Sequence, residues 1–85
     1  DDLSTPAIES DDLISVYPNP TKEKLHIECP KNSRIQVLDL HGKTLMEVIS
    51  NNGYTALSLN KLSSGAYFII VQSDQGIFTQ KIIRQ

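Results

Sequence analysis

Short segments of alternating apolar and polar residues, separated by turn residues, are the feature that most limits how this chain can fold. The clearest segment is 24–29, where Leu25, Ile27 and Cys29 fall on one face and polar side chains fall on the other. A strand with one buried face has this period of two. No segment sustains the 3.6-residue period of a helix. The pattern therefore predicts antiparallel strands and an all-β fold.

Six further segments have strand character and are bounded by Gly, Pro, Asn, Asp or Ser. They are residues 14–17, 34–40, 43–49, 55–59, 66–72 and 77–84. Seven strands of this length predict an immunoglobulin-like two-sheet antiparallel sandwich. The Cys and Trp residues that mark true immunoglobulin domains are absent from the sequence.

Local irregularities are also predictable from the pattern. In segment 34–40 the apolar face changes after Val37, which predicts a bulge or a change of partner sheet at that residue. His41-Gly42 predicts a two-residue hairpin turn, because glycine readily supplies the positive φ that such a turn needs. Asn51-Asn52-Gly53 predicts a second turn of the same chemistry.

Size and charge exclude several classes of function. The chain has 85 residues and a formal net charge of −2, with eight Lys and Arg scattered among ten Asp and Glu. Binding to nucleic acid needs a clustered basic surface, so we expect no nucleic-acid partner. The longest apolar run, residues 66–71, falls far short of the roughly 20 residues that span a bilayer. We therefore predict one small domain with no membrane span and too little bulk for a deep active-site cleft.

The first twelve residues differ from the rest in composition. Residues 1–12 contain four Asp, one Glu, two Ser, a Thr and a Pro, with few apolar side chains to offset the entropy of ordering. We predict a flexible acidic linker over 1–12, joined to an upstream cargo, and a folded domain over 13–85. The acidic start lacks the basic and apolar regions of a signal peptide, so we interpret the chain as part of a longer protein.

Few side chains are placed for chemistry. His26 and Glu28 share a strand face, but two ligands do not make a metal site, and His41 lies in a predicted turn. Cys29 is the only cysteine and falls on an apolar face, where a thiol behaves as a small hydrophobe. No Gly-x-Ser-x-Gly elbow is present. We assign no catalytic residue, no metal and no cofactor, and we expect that the chain is not an enzyme.

Four motifs follow one another in a fixed order. They are Val16-Tyr17-Pro18-Asn19-Pro20, Asp39-Leu40-His41-Gly42-Lys43, Leu57-Ser58-Leu59 followed by Leu62-Ser63-Ser64-Gly65-Ala66-Tyr67, and Lys81-Ile82-Ile83. In order and spacing, the chain resembles the type A C-terminal sorting domain of the type IX, or Por, secretion system of Gram-negative bacteria. The resemblance covers residues 17–85. Its motif positions are Pro18, Asn19, Pro20, Asp39, Gly42, Leu62, Gly65 and Tyr67.

The resemblance implies that the domain functions as a sorting signal at the C-terminal end of a secreted precursor. Such a precursor crosses the periplasm, is recognised by the outer-membrane translocon and reaches the cell surface or the medium. A cell-surface sortase then usually removes the domain and often attaches the cargo to a lipopolysaccharide. The implied partners are therefore the translocon, the sortase and the upstream cargo in cis.

The motif residues also have a structural interpretation. Pro18 and Pro20 stop a strand, Gly42 and Gly65 permit tight turns, and Asp39 can accept hydrogen bonds from turn amides. In that interpretation, the signal is the shape that these residues create.

We predict that the translocon recognises the closing strand. The residues proposed for this contact are Lys81, Ile82, Ile83, Arg84 and Gln85. A receptor can read such a segment by adding a strand or by capturing a carboxylate. A terminal strand and short hinge loops also allow strand exchange between two copies.

Residues 66–71 are apolar on both faces, which leaves two interpretations open. The second face is formed by Ala66, Phe68 and Ile70. Either the chain's own loops cover that face, or it is an apolar strip available to a receptor.

An alternative function is a surface-adhesion or carbohydrate-binding module with the same sandwich fold. Such a module needs exposed aromatic side chains, and the chain has no Trp. Its Tyr and Phe residues lie mostly at strand positions that we expect to face the core: Tyr17, Tyr54, Tyr67, Phe68 and Phe78. The sequence therefore favours the sorting function over this alternative.

Overall fold

The computed structural model describes residues 14–85, which form two antiparallel sheets. The seven strands are β1 Ser15–Tyr17, β2 Lys24–Glu28, β3 Ser33–Leu38, β4 Thr44–Ser50, β5 Tyr54–Ser58, β6 Gly65–Ser73 and β7 Gly76–Arg84. The all-β prediction is confirmed. The predicted linker 1–12 and Leu13, with which the predicted domain begins, lie outside the described residues.

The sheets have three and four strands. The three-stranded sheet has the order β1-β2-β5, and the four-stranded sheet has the order β4-β3-β6-β7. This arrangement is that of an immunoglobulin-like sandwich in which strands A, B and E face strands C′, C, F and G. The chain passes between the sheets after β2, after β4 and after β5, so both sheets depend on distant parts of the sequence.

The core lies between the sheets and is built from the alternating apolar residues. On the three-stranded sheet, Leu25 and Ile27 of β2 are fully buried, and Cys29 and Leu57 are nearly so. From the four-stranded sheet come the buried side chains of Ile35, Val37, Tyr67, Ile69, Val71 and Ile82. Removing this apolar surface from water is the main force that holds the sheets together. The predicted inward positions of β2 and β5 are confirmed.

The predicted bulge near Val37 is confirmed, but one turn differs from the prediction. The ladder between β3 and β4 shifts register between Val37 and Leu38, and β3 keeps its partners within a single sheet. The prediction of a two-residue turn at His41-Gly42 is wrong. The Asp39 N–H donates to the Lys43 carbonyl and the Gly42 N–H donates to the Asp39 carbonyl, so three residues form the loop. The register shift leaves Leu45 without a partner on β3, so the extra residue of the bulge lies on β4.

The second face of β6 is half-buried. Ala66, Phe68 and Ile70 lie on the outer face of the four-stranded sheet, and each is partly exposed. The described part of the chain therefore covers this face only in part, and both interpretations hold to a degree. Three isoleucines elsewhere in this sheet are more exposed: Ile83 at 39 %, Ile49 at 50 % and Ile77 at 68 %.

Candidate functional site

The motif Pro18-Asn19-Pro20 lies against the closing strand of the domain. Tyr17 ends β1, and both proline peptide bonds are cis. The Asn19 side chain then reaches β7, where its Nδ2 donates to the Lys81 carbonyl at 3.1 Å and its Oδ1 accepts from the Ile83 N–H at 3.0 Å. The amide of Asn19 therefore replaces a neighbouring strand at this edge.

Thr21 extends the same contact by two backbone hydrogen bonds. Its N–H donates to the Ile83 carbonyl at 2.8 Å, and its carbonyl accepts from the Gln85 N–H at 2.8 Å. Thr21 is fully buried, and its hydroxyl donates to the Lys24 carbonyl at 2.6 Å. Residues 19–21 thus cover the edge of β7 at the segment predicted to bind the translocon, and leave no room there for an added strand.

The five residues proposed for recognition are placed in different environments. Ile82 is fully buried in the core. Arg84 is half-buried, and its Nε donates to the Leu59 carbonyl at 2.8 Å. Lys81, Ile83 and Gln85 are exposed. In the folded domain, a receptor can therefore contact the side chains of these three residues but not that of Ile82.

The exposed side chains of β7 continue onto the apolar outer face of β6. Residues directly opposite one another in a ladder share a face. Lys81 lies opposite Phe68, which in turn lies opposite Leu38 of β3. Ile83 lies opposite Ala66. We call these five residues the β7 face: Leu38, Ala66, Phe68, Lys81 and Ile83.

Asp39 and Gly42 shape the β3–β4 loop. The Oδ1 of Asp39 accepts hydrogen bonds from the backbone N–H groups of His41 and Lys43, both at 2.9 Å. These bonds lower the pKa of the Asp39 carboxyl below its ordinary value, the bond from Lys43 being the largest cause. Gly42 has a φ of 89°, which L-residues rarely adopt. The prediction that Asp39 binds turn amides is confirmed.

The motif Leu62-Ser63-Ser64-Gly65-Ala66-Tyr67 forms the connection from β5 to β6. The hydroxyl of Tyr67 donates to the Ser63 carbonyl at 2.6 Å, while its ring lies in the core. Leu62 packs against the core, and Gly65 begins β6 with a φ of 147°. These residues close the sandwich, as in the tyrosine corner of immunoglobulin-like domains.

Comparison with protein families is decisive for this chain. Residues 15–85 match the model of the family described as the secretion system C-terminal sorting domain, also called the Por secretion tail. The chain belongs to this family. The family consists of type IX sorting signals and not of enzymes, and its members direct export to the cell surface or to the medium in Gram-negative bacteria.

A solved structure has the same fold as the sorting domain. It is that of PorZ from Porphyromonas gingivalis, an essential bacterial surface component of the type-IX secretion system. The two chains superpose with a TM-score of 0.72 at 19 % identity, over 91 % of this chain and 12 % of PorZ. At this identity the similarity shows the fold alone. A comparison with curated proteins gives no match.

The outer face of the three-stranded sheet of the sorting domain carries an aromatic group that the sequence prediction placed wrongly. Tyr17 and Tyr54 are 40 % and 45 % exposed and do not face the core. Their rings lie beside that of His26, with centroids 5.4 Å and 6.1 Å from it and planes inclined by 19° and 24°. The signal was available in the alternation itself, because Val16 and Leu57 face inward and so turn Tyr17 and Tyr54 outward.

Two hydrogen bonds join this group. The Tyr17 hydroxyl donates to Oε2 of Glu28 at 2.6 Å, and this bond is the main cause of a raised pKa of Tyr17. The Tyr54 hydroxyl and Nδ1 of His26 share a hydrogen bond of 2.6 Å. His26 and Glu28, which the sequence analysis considered as metal ligands, are thus both bonded to tyrosines.

The described part of the sorting domain offers little else for chemistry. Within residues 14–85, no three His, Cys, Asp or Glu side chains lie together as metal ligands would. Cys29 is buried as a free thiol. The same residues contain no helix long and apolar enough to cross a membrane.

Proposed function

We propose that this domain directs the protein segment preceding it across the outer membrane, and that the type IX translocon reads the β7 face. The observation that carries the proposal is the contact of residues 19–21 with β7. Four hydrogen bonds hold the backbone of the closing strand in place. Recognition therefore depends on the side chains that this strand displays and not on a free strand edge.

The β7 face has the chemistry of a protein-binding surface. Ile83 is 39 % exposed, and Phe68, Ala66 and Leu38 are half-buried beside it. Apolar side chains grouped at one place on a small domain are typical of an interaction site. Lys81 adds one positive charge at the edge of the apolar group, where an acidic receptor residue can pair with it.

The experiment fuses residues 1–85 behind a periplasmic reporter in a bacterium with a working type IX system. Ile83→Ser should reduce surface delivery strongly. Ile49→Ser is the matched control, because Ile49 is an exposed isoleucine of the same sheet on the far strand β4 and is somewhat more exposed than Ile83. Both variants should unfold at urea concentrations close to that of the parent domain.

Three outcomes contradict the proposal. If Ile83→Ser and Ile49→Ser are exported equally well, the β7 face is not what the translocon reads. If the parent fusion stays in the periplasm, the domain is not sufficient as a sorting signal. If delivery persists after deletion of the translocon, another route exports the fusion.

We further propose that the cell-surface sortase cuts the precursor in or just before residues 1–12. Exposed segments of polar composition are where peptidases gain access. Mass spectrometry of the surface-delivered reporter should find a new end in or before this segment and, where the cargo is anchored, an added mass. A full-length reporter on the surface, with residues 14–85 attached, would contradict cleavage.

Strand exchange between two copies remains a separate prediction. To exchange β7, each copy would first release four hydrogen bonds from residues 19–21 and the buried side chain of Ile82. We therefore expect the 85-residue chain to be monomeric at micromolar concentration in analytical ultracentrifugation. A stable dimer there would show that exchange outweighs these contacts.

A further inference from the structure

The aromatic group on the three-stranded sheet lies outside the β7 face and has a geometry of its own. Tyr17 lies opposite His26 on β2, but its hydroxyl reaches Glu28, two residues along the strand. Tyr54 lies opposite Glu28, but its hydroxyl reaches His26. The two tyrosines therefore lean diagonally over β2 from opposite sides. Each hydroxyl reaches the β2 residue that lies opposite the other tyrosine.

This mutual leaning gives an aromatic surface in which each tyrosine ring is inclined only slightly to the ring of His26. The hydrogen bond shared by Nδ1 of His26 and the Tyr54 hydroxyl joins the edges of the two rings, so these rings lie side by side. The planes of Tyr17 and Tyr54 are inclined by only 19° and 24° to that of His26. The three rings thus extend across all three strands of this sheet.

The rim of this surface has unused capacity for hydrogen bonding. A carboxylate offers about four acceptor positions, and within residues 14–85 that of Glu28 accepts from Tyr17 alone. The imidazole of His26 uses Nδ1 for Tyr54 and keeps Nε2 for a further partner. Ala56, which lies opposite His26, is small and exposed, so the chain leaves space next to both rings.

The charge of this face favours an uncharged ligand. Among the residues that the register places on it, Lys24 contributes one positive charge and Glu28 one negative charge. A basic peptide would need a surplus of carboxylates, and a polyanion would need a surplus of cations. Flat aromatic rings beside hydroxyl, imidazole and carboxylate groups suit the apolar C–H face and the equatorial hydroxyls of a sugar.

We propose that the outer face of the three-stranded sheet binds a neutral saccharide. One or two hexose rings lie against Tyr17, His26 and Tyr54, and their hydroxyls bond to Glu28 and His26. The site is on the sheet opposite the β7 face, so one domain can hold a glycan and the translocon at the same time. A purely structural ladder of cross-strand aromatic pairs would stabilise the sheet without binding any ligand.

The test is an NMR titration of the 85-residue chain with maltotetraose, cellotetraose and N-acetylchitotetraose, each up to millimolar concentration. At least one of them should shift the ring resonances of Tyr17, His26 and Tyr54 in a saturable way. Tyr54→Ala should weaken that binding by about tenfold, the value of one lost stacking contact. Ile77→Ser, an exposed substitution on the other sheet, should leave it unchanged.

A second variant and a charged competitor complete the experiment. Glu28→Gln retains an acceptor for the Tyr17 hydroxyl but removes the carboxylate from the site, so it should keep the fold and weaken saccharide binding severalfold, whether or not Tyr54→Ala folds. Tetralysine serves as the charged competitor. The proposal is overturned if none of the three saccharides shifts the rings saturably, if the shifts lie elsewhere, or if tetralysine alone binds this face.

Discussion

Asn19 and Ile83 lie 64 residues apart in sequence and are joined by a hydrogen bond of 3.0 Å from the Ile83 N–H to the Asn19 Oδ1. The same side chain donates to the Lys81 carbonyl, so one amide bonds both flanks of the buried Ile82. The first and the last of the four sequence motifs therefore form a single structural unit. The motif Pro18-Asn19-Pro20 near the start of the domain thus positions β7, the strand that we propose for recognition.

Asn19→Ala should destabilise the domain and loosen its last residues. The substitution removes two hydrogen bonds, which together are worth about 1–2 kcal/mol at an exposed site. The midpoint of urea unfolding should fall, and the amide of Ile83 should exchange faster with solvent than that of Ile69 in the core.

Asn60→Ala is the matched control for this prediction. Asn60 is also exposed, and within residues 14–85 its side chain bonds only to Ser58, two residues away. It should change neither the midpoint nor the exchange of Ile83. Equal midpoints for the two variants would show that the contact of Asn19 with β7 does not contribute to stability.

Substitutions at Ile82 and Ile83 should distinguish an effect on domain stability from an effect on recognition by the translocon. Ile82→Val removes one methylene from the core and should cost about 0.5–1.5 kcal/mol, while export of the fused reporter continues as long as the domain folds. Ile83→Ser, on the exposed side of the same strand, should leave the unfolding midpoint nearly unchanged and reduce export. Export that follows the unfolding midpoint in both variants would indicate that the translocon responds only to the folded state.

Features that depend on neighbouring residues were predictable from the sequence. The inward positions of Leu25, Ile27 and Cys29 follow from the two-residue period. The two adjacent apolar residues at Val37 indicated where the register shifts, but not that the extra residue lies on β4. The role of Asp39 follows from the preference of its side chain for turn amides.

Features that depend on the pairing of distant strands were not predictable. Nothing local indicates that Asn19 meets Ile83, since that contact needs both sheets to be assembled. The aromatic group needs the registers of β1 and β5 against β2, which place Tyr17 and Tyr54 on either side of His26. Alternation could have indicated that these side chains face outward, although the prediction placed them in the core, but it could not indicate that they share one surface.

Asp39→Asn should make stability less sensitive to acid. In the folded domain the pKa of Asp39 lies below its ordinary value of 3.8, because the N–H groups of Lys43 and His41 favour the charged form. A lowered folded pKa gives stability that is present above the unfolded pKa and is lost as pH falls through the folded one. The parent should therefore lose more stability than Asp39→Asn when pH is lowered from about 6 to about 3.

Thermal unfolding of both proteins over this range checks the prediction. Asparagine keeps the Oδ1 acceptor but has no carboxyl group that titrates. The parent and Asp39→Asn should therefore have similar stability near neutral pH, but the stability of the parent should fall more steeply as pH is lowered. Parallel curves would mean that the two backbone hydrogen bonds do not depend on the charge of Asp39.

Tyr17→Phe should change how the stability of the domain depends on pH in the alkaline range. The hydrogen bond to Glu28 is the main cause that raises the pKa of Tyr17 above its ordinary value of 10.0. A raised folded pKa gives stability that is complete below the unfolded pKa and is lost as pH rises through the folded one. The parent should lose its advantage over Tyr17→Phe above about pH 10, whereas Tyr54→Phe keeps the Tyr17–Glu28 hydrogen bond and should still lose stability there. Ultraviolet absorbance of the tyrosinate form measures this directly, and a Tyr17 that ionises at or below its ordinary pKa would show that the bond to Glu28 does not form in solution.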